Sequence, residues 1–147
     1  LGTNGFAYSD KDVANYEGTK FTPWNKGNQM RNDGVDIVKC TDQITNGFHV
    51  SFIEDGEWLQ FTVEVKTPSV FDVAIRYSNE KDGGKLYLEQ DGKKISETIV
   101  LPVSGGETIW KTVILKNVAI KKGSNKIRVH FEGGNLNLNF IEFKNSD

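Results

Sequence analysis

A chain of 147 residues, 37% of them hydrophobic, can bury one core without disulfide or metal staples and has no need of a second domain. Its 18 basic and 20 acidic residues are dispersed and leave a formal net charge of -2, which excludes the basic footprint of a nucleic-acid binder or of a protein held on an anionic membrane. No apolar run approaches the ~18 residues of a spanning helix, and the amino terminus lacks a charged-then-apolar signal pattern, so the sequence reads as a soluble piece from which any export signal has been removed. The single Cys40 has no internal disulfide partner and reads as a small buried hydrophobe.

Up to Asn46 the chain is rich in Gly, Asn, Asp, Ser and Thr, residues that favour turns, and its apolar residues are scattered and mostly aromatic. This predicts a long ordered loop, because Phe6, Tyr8, Tyr16, Phe21 and Trp24 argue against disorder. Val35 and Ile37 open the first predicted strand. Phe48, Val50 and Phe52 form the next, and Glu54 to Gly56 a turn. The stretch from Gly56 to Val65 then alternates strictly, with Leu59, Phe61, Val63 and Val65 on one face and Trp58, Gln60, Thr62 and Glu64 on the other.

After a break at Thr67 to Ser69, Phe71, Val73, Ile75 and Tyr77 share a face. Lys85 to Gln90 makes the next strand, and Asp91-Gly92 is a two-residue hairpin signal. Strands are predicted over ISETIVL, TIWKTVILKNVAI, NKIRVHF and NLNLNFIEF, and no segment keeps a helical period over three turns. Many short strands separated by turn chemistry predict an all-β antiparallel sandwich or barrel.

Catalytic chemistry finds little support. Glu54, Asp55 and Glu57 cluster as glycoside hydrolysis requires, but they flank a hairpin glycine, where acids form turns and stay solvated. His49 and His130 stand apart, without zinc-ligand spacing or a nucleophile elbow, and the glycine pairs never precede a helix that could cradle phosphate. What remains suits sugars: flat rings for the C–H face of a pyranose, and Asn, Gln, Arg and acids for its hydroxyls. The outward strand positions carry that set, in Trp58, Gln60, Thr62, Glu64, Arg76, Ser78, Tyr87, Glu89, Lys111, Arg128 and His130. The competing reading of these positions is an ordinary solvated sheet face.

NGFAYSD, MRNDGVDI (Met30 to Ile37), NGFHVSFIEDGEWLQFTVEV (Asn46 to Val65), FDVAIRYSN (Phe71 to Asn79), GGETIWKTV (Gly105 to Val113) and NLNLNFIEF (Asn135 to Phe143) follow one another in an order that resembles carbohydrate-binding modules of family 6. The resemblance covers nearly the whole chain. It implies a β-sandwich jelly roll of two antiparallel sheets, spanning residues 1–147 as a single non-catalytic module. Such a module is secreted and attached to a polysaccharide hydrolase, as in marine bacterial β-1,3-glucanases and agarases.

The family also implies a loop-end site, a second site on the concave sheet face, and commonly a structural calcium. At the loop end the family's sandwiching Tyr and Trp are replaced by Met30 and Glu107, the asparagine persists as Asn137, and Trp24 is the candidate substitute platform, with Tyr8, Arg31 and Asn32 around it. On the concave face the candidates are Trp58, Gln60, Arg76 and Tyr87. Trp58 also occupies a position where the family keeps an aromatic residue for structural reasons. The family's first strand, which carries two glutamates and contributes calcium ligands, precedes the NGFAY-like segment and is not in this sequence. β-1,3-Glucan, as in laminarin, is the expected ligand, with xylan and agarose as competitors. A hydrolase or lyase on a jelly roll, and an adhesion sandwich, are the readings from other classes.

Overall fold

The computed structural model describes residues 3–11, 34–45, 47–67, 69–81 and 83–146. Among these residues the backbone forms strands and turns but no helix. The strands are β1 (Tyr8–Ser9), β2 (Ile37–Lys39), β3 (Phe48–Ile53), β4 (Trp58–Val65), β5 (Ser69–Asn79), β6 (Gly84–Gln90), β7 (Lys93–Lys94), β8 (Ile99–Leu101), β9 (Gly106–Ile120), β10 (Gly123–Glu132) and β11 (Leu136–Asn145). They make two antiparallel sheets, one ordered β1-β4-β10-β6-β7 with β8 also on β6, the other β2-β3-β11-β5-β9. The expected two-sheet sandwich is thus the observed one.

Alternation sets which side chains meet between the sheets. Val73, Ile75 and Tyr77 of β5 pack with Leu86 and Leu88 of β6 and Ile127, Val129 and Phe131 of β10, all close to fully buried. At roughly 1.5–3 kcal/mol for each large apolar side chain withdrawn from water, this layer is the main stabilising contribution. The Tyr77 hydroxyl, carried into the core with its ring, donates to the Pro102 carbonyl at 2.8 Å and so is not left unpaired. The β6–β7 hairpin turns on Asp91 (φ 49°) and Gly92 (φ 82°), the two positive-φ residues that the Asp-Gly signal predicts.

The opposite flank has fewer described pairings. Past Gln60, β4 has no described partner on the β1 side, and past Leu138, β11 has none on the β3 side. Phe61 faces inward there yet is 43% exposed. Beside it an apolar cavity of about 270 Å³ is lined by Val50, Phe61, Val63, Val129, Leu138 and Phe143 among others.

Two elements differ from the sequence pattern. Tyr8–Ser9, inside the stretch read as loop, is a strand held on Leu59 and Trp58. Of ISETIVL only Ile99–Leu101 forms a strand; Ile95 donates its N–H to the Leu88 carbonyl at 2.9 Å, and Ser96 turns its hydroxyl to accept the Leu88 N–H at 2.8 Å.

Candidate functional site

On the β4–β10–β6 sheet, register builds an outward cluster from residues far apart in sequence. Trp58, His130 and Tyr87 stand in one row across β4, β10 and β6, and Gln60, Arg128 and Glu89 in the next. Lys94 of β7 is opposite Glu89. The Tyr87 and His130 rings are parallel within 5° with centroids 4.7 Å apart, and His130 lies 6.5 Å from Trp58 at a 45° tilt. Arg128 places its guanidinium carbon 4.1 Å from the centre of the Trp58 ring, and Lys94 Nζ sits 4.5 Å from that of Tyr87.

Hydrogen bonds fix this arrangement. Arg128 Nε donates to Gln60 Oε1 at 2.8 Å, while Gln60 Nε2 donates to the Phe6 carbonyl at 2.9 Å. Glu89 lies between two cationic or ionisable partners, with Oε1 3.8 Å from Arg128 Nη1 and Oε2 3.0 Å from His130 Nε2. That last contact is close but out of line for a hydrogen bond, so the sealed Nε2 makes none. Burial and the carboxylates Glu89 and Glu132 push the Tyr87 hydroxyl up from its usual range, leaving it a protonated donor at neutral pH.

The outward face of the other sheet is built differently. Asn137 is 7% exposed and sits between two bulges. Ser51 and Phe52 of β3 together oppose it on one side, Phe52 taking φ 56°, and on the other side Glu107 to Trp110 of β9 loop out opposite Ser78. The Asn137 amide closes both. Its Oδ1 accepts from Ser51 Oγ (2.7 Å) and the Phe52 N–H (3.4 Å), and its Nδ2 donates to Ser78 Oγ (3.1 Å) and the Glu107 carbonyl (3.4 Å). All four of its hydrogen-bonding places are occupied.

Farther along the same face, Arg76 clamps Asp42 through two bonds of 2.7 and 3.0 Å and also donates to Thr112, while Asn139 donates to Asp42 and to the Ile44 carbonyl. The Arg76 guanidinium holds the Asp42 carboxyl down at about 2. The β2–β3 loop is thereby pinned to the sheet.

The expected site residues therefore divide. Trp58, Gln60 and Tyr87 come together as read. Arg76 is on the other sheet, locked to Asp42. Asn137 and Glu107 meet, but through the Glu107 backbone, with its side chain exposed. Tyr8 is 2% exposed and anchors β1. Trp24, Met30, Arg31 and Asn32 lie outside the described residues.

Sequence reading missed Trp110, whose ring meets His49 edge-on at 5.1 Å and whose Nε1 donates to Thr41 Oγ1 at 3.4 Å. The Gly105-Gly106 pair just before it was the available sign of a bulge. Glu57 is a bracket, accepting the Lys11 and Glu54 N–H groups at 3.0 Å each, and Asp55 accepts that of Gly133. Burial raises the Glu57 carboxyl, but both its oxygens are committed to backbone. Among the described residues no three Asp, Glu, His or Cys side chains converge.

A sandwich of two antiparallel sheets with such a face has the architecture of a carbohydrate-binding module. The family model described as "Carbohydrate binding module (family 35)" matches residues 31–143, and the chain belongs to that family.

Solved structures share the fold, and several carry the family 6 name that the sequence suggests. The second family 6 module of lichenase 5A from Cellvibrio mixtus, solved with cellotriose, is 26% identical, with a TM-score of 0.68 over 78% of this chain and 88% of that one. The C-terminal family 6 module of LamC, a marine laminarinase from Zobellia galactanivorans, is 21% identical, with a TM-score of 0.66 over 75% and 87%. A β-1,3-glucan-binding family 6 module from Bacillus halodurans is 23% identical, with a TM-score of 0.66 over 76% and 86%. The last two show the fold alone. No curated protein matches the chain. The chain is a non-catalytic carbohydrate-binding module.

Proposed function

We propose that the whole chain is one module that binds a β-1,3-glucan such as laminarin and holds an attached glycoside hydrolase on that polysaccharide outside the cell. The observation that carries the binding face is the outward row Trp58, His130 and Tyr87 beside Gln60, Arg128 and Glu89, which sets rings next to amide, guanidinium and carboxylate groups on a rigid sheet. Three strands contribute to it, so its geometry does not depend on a loop. The choice of glucan is supported by the kinship of fold with a module that binds β-1,3-glucan and with one from a laminarinase. The attachment is supported by the lichenase and laminarinase modules, which are parts of hydrolases.

The test is affinity electrophoresis through gels containing laminarin, xylan or agarose, followed by calorimetry on the retaining glycan. Retention by laminarin above the other two is expected. Retention by xylan or agarose alone would replace the ligand, and product release from any of them would restore the hydrolase or lyase reading.

A further inference from the structure

Resting on the reading that the β4–β10–β6 face is where the glycan docks, we infer that this face takes sugar through hydroxyl hydrogen bonds to upright ring edges, with the Tyr87 hydroxyl as a specificity-determining contact, and that Tyr87 is no stacking platform. The ring geometry supports it. Neighbouring strands lie about 4.8 Å apart, and the Tyr87 and His130 centroids are 4.7 Å apart with parallel planes, so the stacking axis runs from strand to strand. Rings stacked along that axis stand on edge and turn their rims, not their faces, outward.

Both faces of Tyr87 are then occupied. His130 comes from β10 on one side of β6, and Lys94 from β7 on the other. Trp58 has its β10-facing surface covered by Arg128. A pyranose arriving from solvent has no open Tyr87 face for its C–H groups. It meets the phenol O–H, the Gln60 amide, the Arg128 guanidinium and the Glu89 carboxylate. A site of this kind reads the stereochemistry of hydroxyls, because a sugar lacking or inverting one leaves a polar group on the protein unpaired.

The experiment is calorimetry with laminarin oligosaccharides on the wild-type module and on Tyr87→Phe and Tyr87→Ala, each first checked for an unchanged unfolding midpoint or compared at a temperature where it is fully folded. Tyr87→Phe keeps the ring and loses only the oxygen. The expected result is a loss of about tenfold in affinity in Tyr87→Phe, the size of one well-made hydrogen bond, with Tyr87→Ala no more than a few-fold weaker again. If Tyr87→Phe binds like the wild type while Tyr87→Ala is weakened, the ring face carries the contact and the inference is overturned while the docking face stands. If Tyr87→Ala binds like the wild type, or no glycan binds at all, the docking face itself is wrong and the inference falls with it.

Discussion

On one sheet Gln60, Arg128 and Glu89 face outward in register, and on the other Asn137 opposite Ser78, Arg76 opposite Phe140 and Asn139 in the bulge between Leu138 and Phe140 supply a second polar trio, yet the two trios have opposite fates. The first trio bonds mainly sideways to neighbours on the same face. The second is consumed by chain lying over it: Asn137 holds two bulges, and Asn139 and Arg76 hold the β2–β3 loop through Asp42. Polarity at alternate strand positions therefore says only that a side chain needs partners. Whether those partners are protein or ligand depends on what the topology lays across the sheet.

The largest test of this contrast is Asn137→Ala. It strips Ser51 Oγ, the Phe52 N–H, Ser78 Oγ and the Glu107 carbonyl of a partner in one change, so a loss of about 2–4 kcal/mol in denaturant-unfolding stability is expected, with glycan affinity of the folded protein retained. Lost affinity at unchanged stability would make Asn137 a ligand contact and erase the distinction between the faces.

Asp42→Asn should cost less. The carboxylate is 5% exposed but lies shallow, so solvent screening reduces its pairing with Arg76 to about 1–2 kcal/mol. The sign follows from a folded value of about 2 against 3.8 for the free group. This stability is fully present above pH 3.8 and is lost as pH falls through the folded value. Acid titration of unfolding should show that loss in the wild type and not in Asp42→Asn; parallel curves would mean the clamp contributes nothing.

Much of this was legible in the sequence, and the failures share a cause. Alternation in Trp58 to Val65 correctly placed Trp58, Gln60 and the inward apolar residues, and Asp91-Gly92 correctly marked a hairpin, because both are local properties of the backbone. Arg76 was grouped with Trp58 because alternation names a face of a strand without naming the sheet that strand joins. Trp110 was overlooked because four residues of β9 stand opposite Ser78 alone, and a bulge breaks the period on which the reading depends. Alternation sets Phe61 on one face with Leu59, Val63 and Val65, and its inward direction agrees. Its 43% exposure is a long-range property of the β4 edge that no window of sequence contains.

The smallest expected effect concerns the place where the locked face is least satisfied. His49 is buried under the edge of Trp110, and its Nδ1 has neither solvent nor a hydrogen-bond partner. Burial alone lowers its protonation equilibrium from the ordinary 6.5, since a charged imidazole there would be stripped of water. A histidine kept neutral by the fold contributes stability above its unfolded value. That contribution is lost as pH falls through about 6.5 towards the folded value, because the unfolded chain then binds the extra proton.

Wild-type stability should therefore decline on going from pH 8 to about 5.5, and His49→Leu should flatten the decline in that window. The Asp42 clamp is indifferent there, since its carboxyl titrates far lower, so the two effects separate on the pH axis. A wild-type profile already flat across the window would mean that His49 finds a partner for its proton.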